Sequence, residues 1–194
     1  MRMPAFEIIA LAASAGGLRA LTDVLSALPR DFPAALVVVQ HLDPRHRSLM
    51  AEILGKRTSL LVREAREGDL LEPGVAFVAP PNHHLLVNGG GRLSLSQTEL
   101  VHFVRPSADL LFESTAAAYR ERAIAVVLSG SGRDGAMGVK AIKKMGGTVI
   151  VQDEQTSQFF GMPDAAQQTG LVDFILPLSE IAPALRTLVT GAAP

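Results

Sequence analysis

The chain contains no cysteine, so disulfides, thiol nucleophiles and cysteine metal sites are all excluded. It has almost no net charge, −1 over 194 residues, which provides no broad attraction to nucleic acid or to an anionic membrane surface. No window approaches the roughly 18 unbroken apolar residues of a membrane span. Met1-Arg2-Met3-Pro4 runs directly into a strand-like segment, with no charged leader, long apolar stretch or cleavage site, so no signal peptide is expected. There is no internal repeat and no clear linker. These absences predict a cytoplasmic protein with no nucleic-acid partner and no membrane insertion, forming a single domain over residues 1–194.

Hydrophobic residues make up 48% of the chain, enough for a packed core. Strand-like and helix-like segments alternate for most of the length, the pattern of an α/β fold with a parallel sheet. Ile8–Ala13 is an apolar run that ends in Ser14. Ala15, Gly16 and Gly17 follow, and then the helical spacing of Leu18, Leu21, Leu25 and Leu28. Further strands are expected at 34–40, 60–63, 123–129, 148–152 and 174–176, and helices at 48–55, 108–120, 136–145, 163–168 and 178–189. Ser107 is the expected N-cap of the helix at 108–120. The stretch from about 67 to 97 has a different texture. Its turn signals separate short strands at 75–79, 85–87 and 92–96, and Gly89-Gly90-Gly91 joins the last two as an antiparallel hairpin. It is read as an insertion within the same domain.

Three strands end in polar residues of useful chemistry: Ser14, His41 and Asp134. A serine hydroxyl is a poor nucleophile until a base accepts its proton. Imidazole suits that task near neutrality, and a carboxylate behind it fixes the tautomer. Other readings stand beside this one. Ser14 also fits a helix cap. His41 competes with His46, His83, His84 and His102, and Asp134 competes with Asp43, Asp109, Asp153 and Asp164. Adjacent His83 and His84 lack the spacing of a metal site. Gly130-Ser131-Gly132-Arg133-Asp134-Gly135 is also a literal G-x-G-x-x-G between a strand and a helix, with Asp153 and Glu154 after the next strand, which predicts dinucleotide binding instead. Against that stands Asp134, a carboxylate beside a pyrophosphate that favours amide donors.

Ala13-Ser14-Ala15-Gly16-Gly17, Gln40-His41, Arg105-Pro106-Ser107-Ala108-Asp109 and Gly132-Arg133-Asp134-Gly135-Ala136-Met137-Gly138 occur in this order, followed by Phe160-Gly161-Met162-Pro163. Together they resemble the catalytic domain of the chemotaxis protein-glutamate methylesterase family, over nearly the whole chain. The resemblance implies a doubly wound, mostly parallel sheet flanked by helices, with an antiparallel β-hairpin. It implies Ser14 as nucleophile, His41 as general base and acid, and Asp134 as the orienting carboxylate, with no metal or organic cofactor. Oxyanion donors are expected near Ala15, Gly16 and Ser131, and substrate contacts at Arg45 and Arg105. The implied reaction is hydrolysis of glutamyl γ-methyl esters on the cytoplasmic helical domain of methyl-accepting chemoreceptors, with deamidation of receptor glutamines as a second activity.

The chain departs from the family's usual pattern in having Ala15 where threonine is common and Ser131 where methionine is common. The receiver domain typical of the family has no counterpart in this chain. The sequence therefore reads as an excised domain or as a stand-alone enzyme served by a separate regulatory protein. A non-catalytic receptor-binding module is the remaining alternative.

Overall fold

The computed structural model describes residues 6–41 and 48–191. Its centre is β1 (Ile8–Ala13), all six residues of which are buried. A strand covered on both faces reads as a continuous apolar run, which is why IIALAA shows no alternation. The chain then passes through α1 (Gly17–Ser26), β2 (Ala35–Gln40), α2 (Met50–Gly55), β3 (Leu61–Glu64) and β4 (Val75–Val78). Next come the hairpin strands β5 (His84–Asn88) and β6 (Arg92–Ser96), then α3 (Ala108–Tyr119), β7 (Ala123–Val127) and α4 (Ala136–Lys144). β8 (Thr148–Gln152), α5 (Gly161–Gln167), β9 (Phe174–Leu176) and α6 (Leu178–Thr190) complete it.

Seven strands form one sheet in the order β3-β4-β2-β1-β7-β8-β9, and every pairing in it is parallel. From β1 the sheet grows through β2 in one direction and, later, through β7 in the other. The switch point therefore lies at the carboxyl ends of β1, β2 and β7, where open α/β sheets form their crevices. Side chains alternate between the two faces, as a strand requires. Ile9, Leu11 and Ala13 pack with α1, α2 and α6, whereas Ile8, Ala10 and Ala12 pack with α3, α4, α5 and the hairpin.

The expected fold class holds, with one correction inside it. Val75–Val78, read as part of a hairpin insertion spanning 67–97, pairs in parallel with both β2 and β3 and belongs to the main sheet. Only β5 and β6 pair separately, antiparallel, through a turn in which Gly90 and Gly91 both have φ of 74°. Among the described residues, no helix is long and apolar enough to cross a membrane.

Candidate active site

Ser14 follows β1 directly, and its backbone is held on three sides. Its amide donates to the Ser129 carbonyl at 3.0 Å. Its carbonyl accepts from the Gly17 amide at 2.8 Å and from Gln40 Nε2 at 2.8 Å. The hydroxyl makes no hydrogen bond among the described residues and does not cap α1. That position belongs to Gly16, at φ 74°, with no side-chain cap bond. A cavity of about 530 Å³ opens beside Ser14, between Gly16, Arg19, Gln40, Met50 and Gln158. Gln40 is also the close neighbour that keeps position 17 a glycine, since a Cβ there would fall 2.0 Å from Gln40 Oε1.

His41 follows β2, and its amide donates to the Ala13 carbonyl at 3.1 Å, which brings the ring alongside the end of β1. His41 Nε2 lies 2.8 Å from Asp134 Oδ2. Nδ1 is therefore the ring nitrogen left free of Asp134. This is the reverse of the ring usage in the chymotrypsin arrangement, where Nδ1 faces the aspartate.

Asp134 is 3% exposed, and four donors saturate its carboxylate. Oδ2 accepts from His41 and from the Ala108 amide at 2.6 Å. Oδ1 accepts from the Ser107 hydroxyl at 2.8 Å and the Asp109 amide at 3.1 Å. Burial pushes this carboxyl up, yet the bonds from His41, Ala108 and Asp109 outweigh it and hold the group below its ordinary 3.8. The magnitudes agree. Burying a carboxylate costs several kcal/mol, and each hydrogen bond to a charged group returns about 1.5–3 kcal/mol. Asp134 is thus held ionised by the N-terminus of α3, to which it also serves as a cap together with Ser107.

Two residues that the sequence offered only as rivals of His41 and Asp134 complete this support. Asp109 Oδ1 accepts from the Gly135 and Gly138 amides at 2.9 and 2.8 Å, so the start of α4 is capped by a residue of α3. His84 is fully buried; its Nδ1 accepts from the Ser107 amide at 3.1 Å, and Nε2 donates to the Glu99 carbonyl at 3.0 Å. The sequence signals were that Asp109 closes the block Arg105–Asp109 and that both residues lie in short polar breaks between apolar segments. The block Phe160–Pro163 also finds its place. The Gly130 amide donates to Phe159, and the Met162 amide donates to Gly130 at 2.8 Å, so this segment braces the loop after β7.

The other expected site residues fare differently. The Ala15 and Gly16 amides have no hydrogen-bond partner among the described residues and sit beside Ser14, as oxyanion donors must. Ser131 is exposed. Arg105 directs its guanidinium to Asn82 Oδ1 and to the Gln97 and Thr98 carbonyls, which ties the hairpin region to the loop before α3. Arg45, with Asp43 and His46, lies outside the described residues. The dinucleotide reading of 130–135 meets an occupied site. The α4 amides that would receive a pyrophosphate are taken by the Asp109 carboxylate. Among the described residues no group of three or more His, Asp or Glu side chains is arranged to hold a metal ion.

The class these features define is a doubly wound α/β domain with a serine, a histidine and an aspartate converging at its switch point. The chain belongs to the CheB methylesterase family, whose model matches residues 9–185. It is 44% identical to a protein-glutamate methylesterase/protein-glutamine glutaminase of Moorella thermoacetica, over 98% of this chain and 46% of that protein. A protein of the same name from Pyrococcus horikoshii is 41% identical over 92% of this chain and 50% of its own length. The chain thus spans about half the length of these curated relatives. Among solved structures, the Thermotoga maritima CheB methylesterase catalytic domain superposes with a TM-score of 0.91 at 36% identity, covering 95% of this chain and 99% of that one.

Proposed function

We propose that this chain hydrolyses methyl esters of glutamate side chains on the cytoplasmic helical domain of methyl-accepting chemoreceptors, and deamidates receptor glutamines at the same site. Ser14 Oγ attacks the ester carbonyl while His41 Nδ1 takes its proton. His41 then protonates the departing methoxide, releasing methanol, and activates a water that frees the glutamate from the serine. For a glutamine the leaving group is ammonia. Asp134 holds the His41 tautomer and stabilises the imidazolium that forms in each half-reaction. The Ala15 and Gly16 amides receive the oxyanion, each such donor being worth roughly 3–4 kcal/mol of barrier. Ala15 in place of a hydroxyl residue leaves this backbone role intact. The reaction calls for no metal or organic cofactor. In this reading the enzyme acts in the cytoplasm, and a separate regulatory protein serves it when no receiver domain accompanies it.

The observation that carries the reading is the 2.8 Å contact between His41 Nε2 and a fully hydrogen-bonded Asp134, beside a serine whose hydroxyl has no hydrogen-bond partner among the described residues. The names and coverage of the relatives support the substrate class. The test is methanol release from a methylated chemoreceptor fragment, with Ser14→Ala as the control. Unchanged release in that variant would rule the mechanism out.

A further inference from the structure

A second cavity, of about 330 Å³, lies beside the loop that carries Asp134, walled in part by His102, Arg133, Met137, Lys140, Gln168 and Thr169. Its charge is of one sign. Arg133 and Lys140 are permanent cations, and no carboxylate lines the wall. Neither cation has an ion-pair partner among the described residues, although the chain as a whole carries −1. The positive charge is therefore a local arrangement, and it adjoins the active site, because Arg133 is bonded directly to Asp134.

Next to His102, Phe103 is 94% exposed, and Met137 in the cavity wall is 52% exposed. Phe103 sits in a tight turn closed by two hydrogen bonds between Val101 and Val104, at 3.1 and 2.9 Å. His102 and Phe103 both take left-handed conformations there, at φ 49° and 66°, a region that bulky side chains avoid. The turn is anchored through His102 Nε2, 3.1 Å from Asp109 Oδ2. An aromatic ring is thus held out in solvent on a fixed backbone beside unpaired cations, and aromatic residues with arginine are the usual anchors of protein interfaces.

We propose that Phe103 and the Arg133–Lys140 cavity dock the carboxylate-bearing helical segment of the methylated protein itself. Phe103 packs on an apolar side chain of that segment. Arg133 and Lys140 receive carboxylates of glutamates neighbouring the one whose ester is at Ser14. Charge complementarity selects this occupant, because every turnover converts a neutral ester on the same segment into a carboxylate. A partly demethylated segment therefore binds better than a fully esterified one. This inference rests on the methylesterase reading of Ser14, His41 and Asp134.

The test compares wild type, Phe103→Ala, Lys140→Glu and Lys140→Arg on two probes: a methylated cytoplasmic chemoreceptor fragment and a blocked glutamate γ-methyl ester. The expected result is a KM for the receptor fragment raised about ten-fold in Phe103→Ala and Lys140→Glu. In Lys140→Arg it is retained, and in every variant kcat/KM on the small ester stays within about two-fold of wild type, since that probe carries neither the neighbouring carboxylates nor the apolar side chain that the docking surface would hold. An unchanged KM for the receptor fragment overturns the proposal. Binding of the same fragment to Ser14→Ala protein, followed by fluorescence anisotropy, separates docking from chemistry. If wild type releases no methanol the methylesterase reading fails, and this binding arm still decides the docking surface by its loss, or not, on adding Phe103→Ala or Lys140→Glu. A wild-type dimer in sedimentation that Lys140→Glu dissolves would assign the surface to a second copy of the chain and likewise overturn it.

Discussion

Asp134 and Asp109 cap each other's helices. Asp134, one residue before the α4 N-cap, accepts the first amides of α3, while Asp109, in the first turn of α3, accepts the Gly135 and Gly138 amides at the start of α4. The exchange locks two helix N-termini together and fixes the carboxylate that faces His41. It also places two buried carboxylates beside one another, and the charge of Asp134 adds to the burial that pushes the Asp109 carboxyl up.

Replacing Asp134 by asparagine keeps the shape of this joint and removes its charge. The expected outcome is a fall in kcat of roughly 10³–10⁴-fold with KM little changed, the scale found when an orienting carboxylate loses its charge. Methanol-release kinetics on a methylated receptor fragment measures it, and a loss under ten-fold would deny Asp134 the orienting role.

Asp109→Asn should behave in the opposite sense for stability. Burial, assisted by the charge of Asp134, pushes the Asp109 carboxyl above its ordinary 3.8 in the folded state. A raised acid binds its proton more tightly when folded, so this group's contribution declines as pH rises from about 3.8 through the folded value. At neutral pH the ionised form carries that penalty and asparagine does not, while its amide oxygen still accepts from Gly135 and Gly138. Urea denaturation at pH 7 should show Asp109→Asn at least as stable as wild type. A loss of more than about 1 kcal/mol would mean that the charge itself strengthens the cap.

His84 is expected to make the fold acid-sensitive. Its Nδ1 must stay unprotonated to accept the Ser107 amide, and burial holds its pKa below 6.5. A histidine depressed in the folded state contributes stability that is present above 6.5 and is lost as pH falls from there toward the folded value. Ser107 in turn donates to Asp134, so the same titration loosens the Asp134 carboxylate. His84→Asn should flatten the stability profile between about pH 7 and pH 5, at a cost of about 1–3 kcal/mol at neutrality. An unchanged slope would exclude His84 as its source.

Gly130→Ala tests how tightly the loop after β7 is braced. A Cβ at that position would fall 2.4 Å from Met162 Sδ and 2.9 Å from the Ser14 Cβ. Overpacking of this kind costs about 1–3 kcal/mol and should displace Ser14 as well. Adding Met162→Ala relieves the sulfur contact but leaves the Ser14 contact and truncates a side chain that is 1% exposed, so the double variant should stay below wild type in melting temperature and low in esterase activity. Full recovery of activity would show that Ser14 is not set by this contact.

Much of this architecture was legible in the order of residue types. Strands buried on both faces must be apolar throughout, so β1, β2, β7 and β8 announce themselves locally, and the polar residues at three of their ends marked Ser14, His41 and Asp134. The limits were equally physical. Val75–Val78 is a short apolar run that reads the same in a hairpin or a parallel sheet, and only its hydrogen-bonded neighbours decide between them.

Helix starts, turns and strand runs depend on contacts within a few residues, so the sequence alone determined the alternation and the fold class, while Ser14, His41 and Asp134 remained candidates among several rivals. The tertiary structure alone decided which imidazole nitrogen meets Asp134, that Gly16 rather than Ser14 caps α1, and that Asp109 and His84 hold the carboxylate in place. The arrangement around Asp134 rests on hydrogen bonds between residues from 23 to 93 positions apart, whose partners no local pattern encodes.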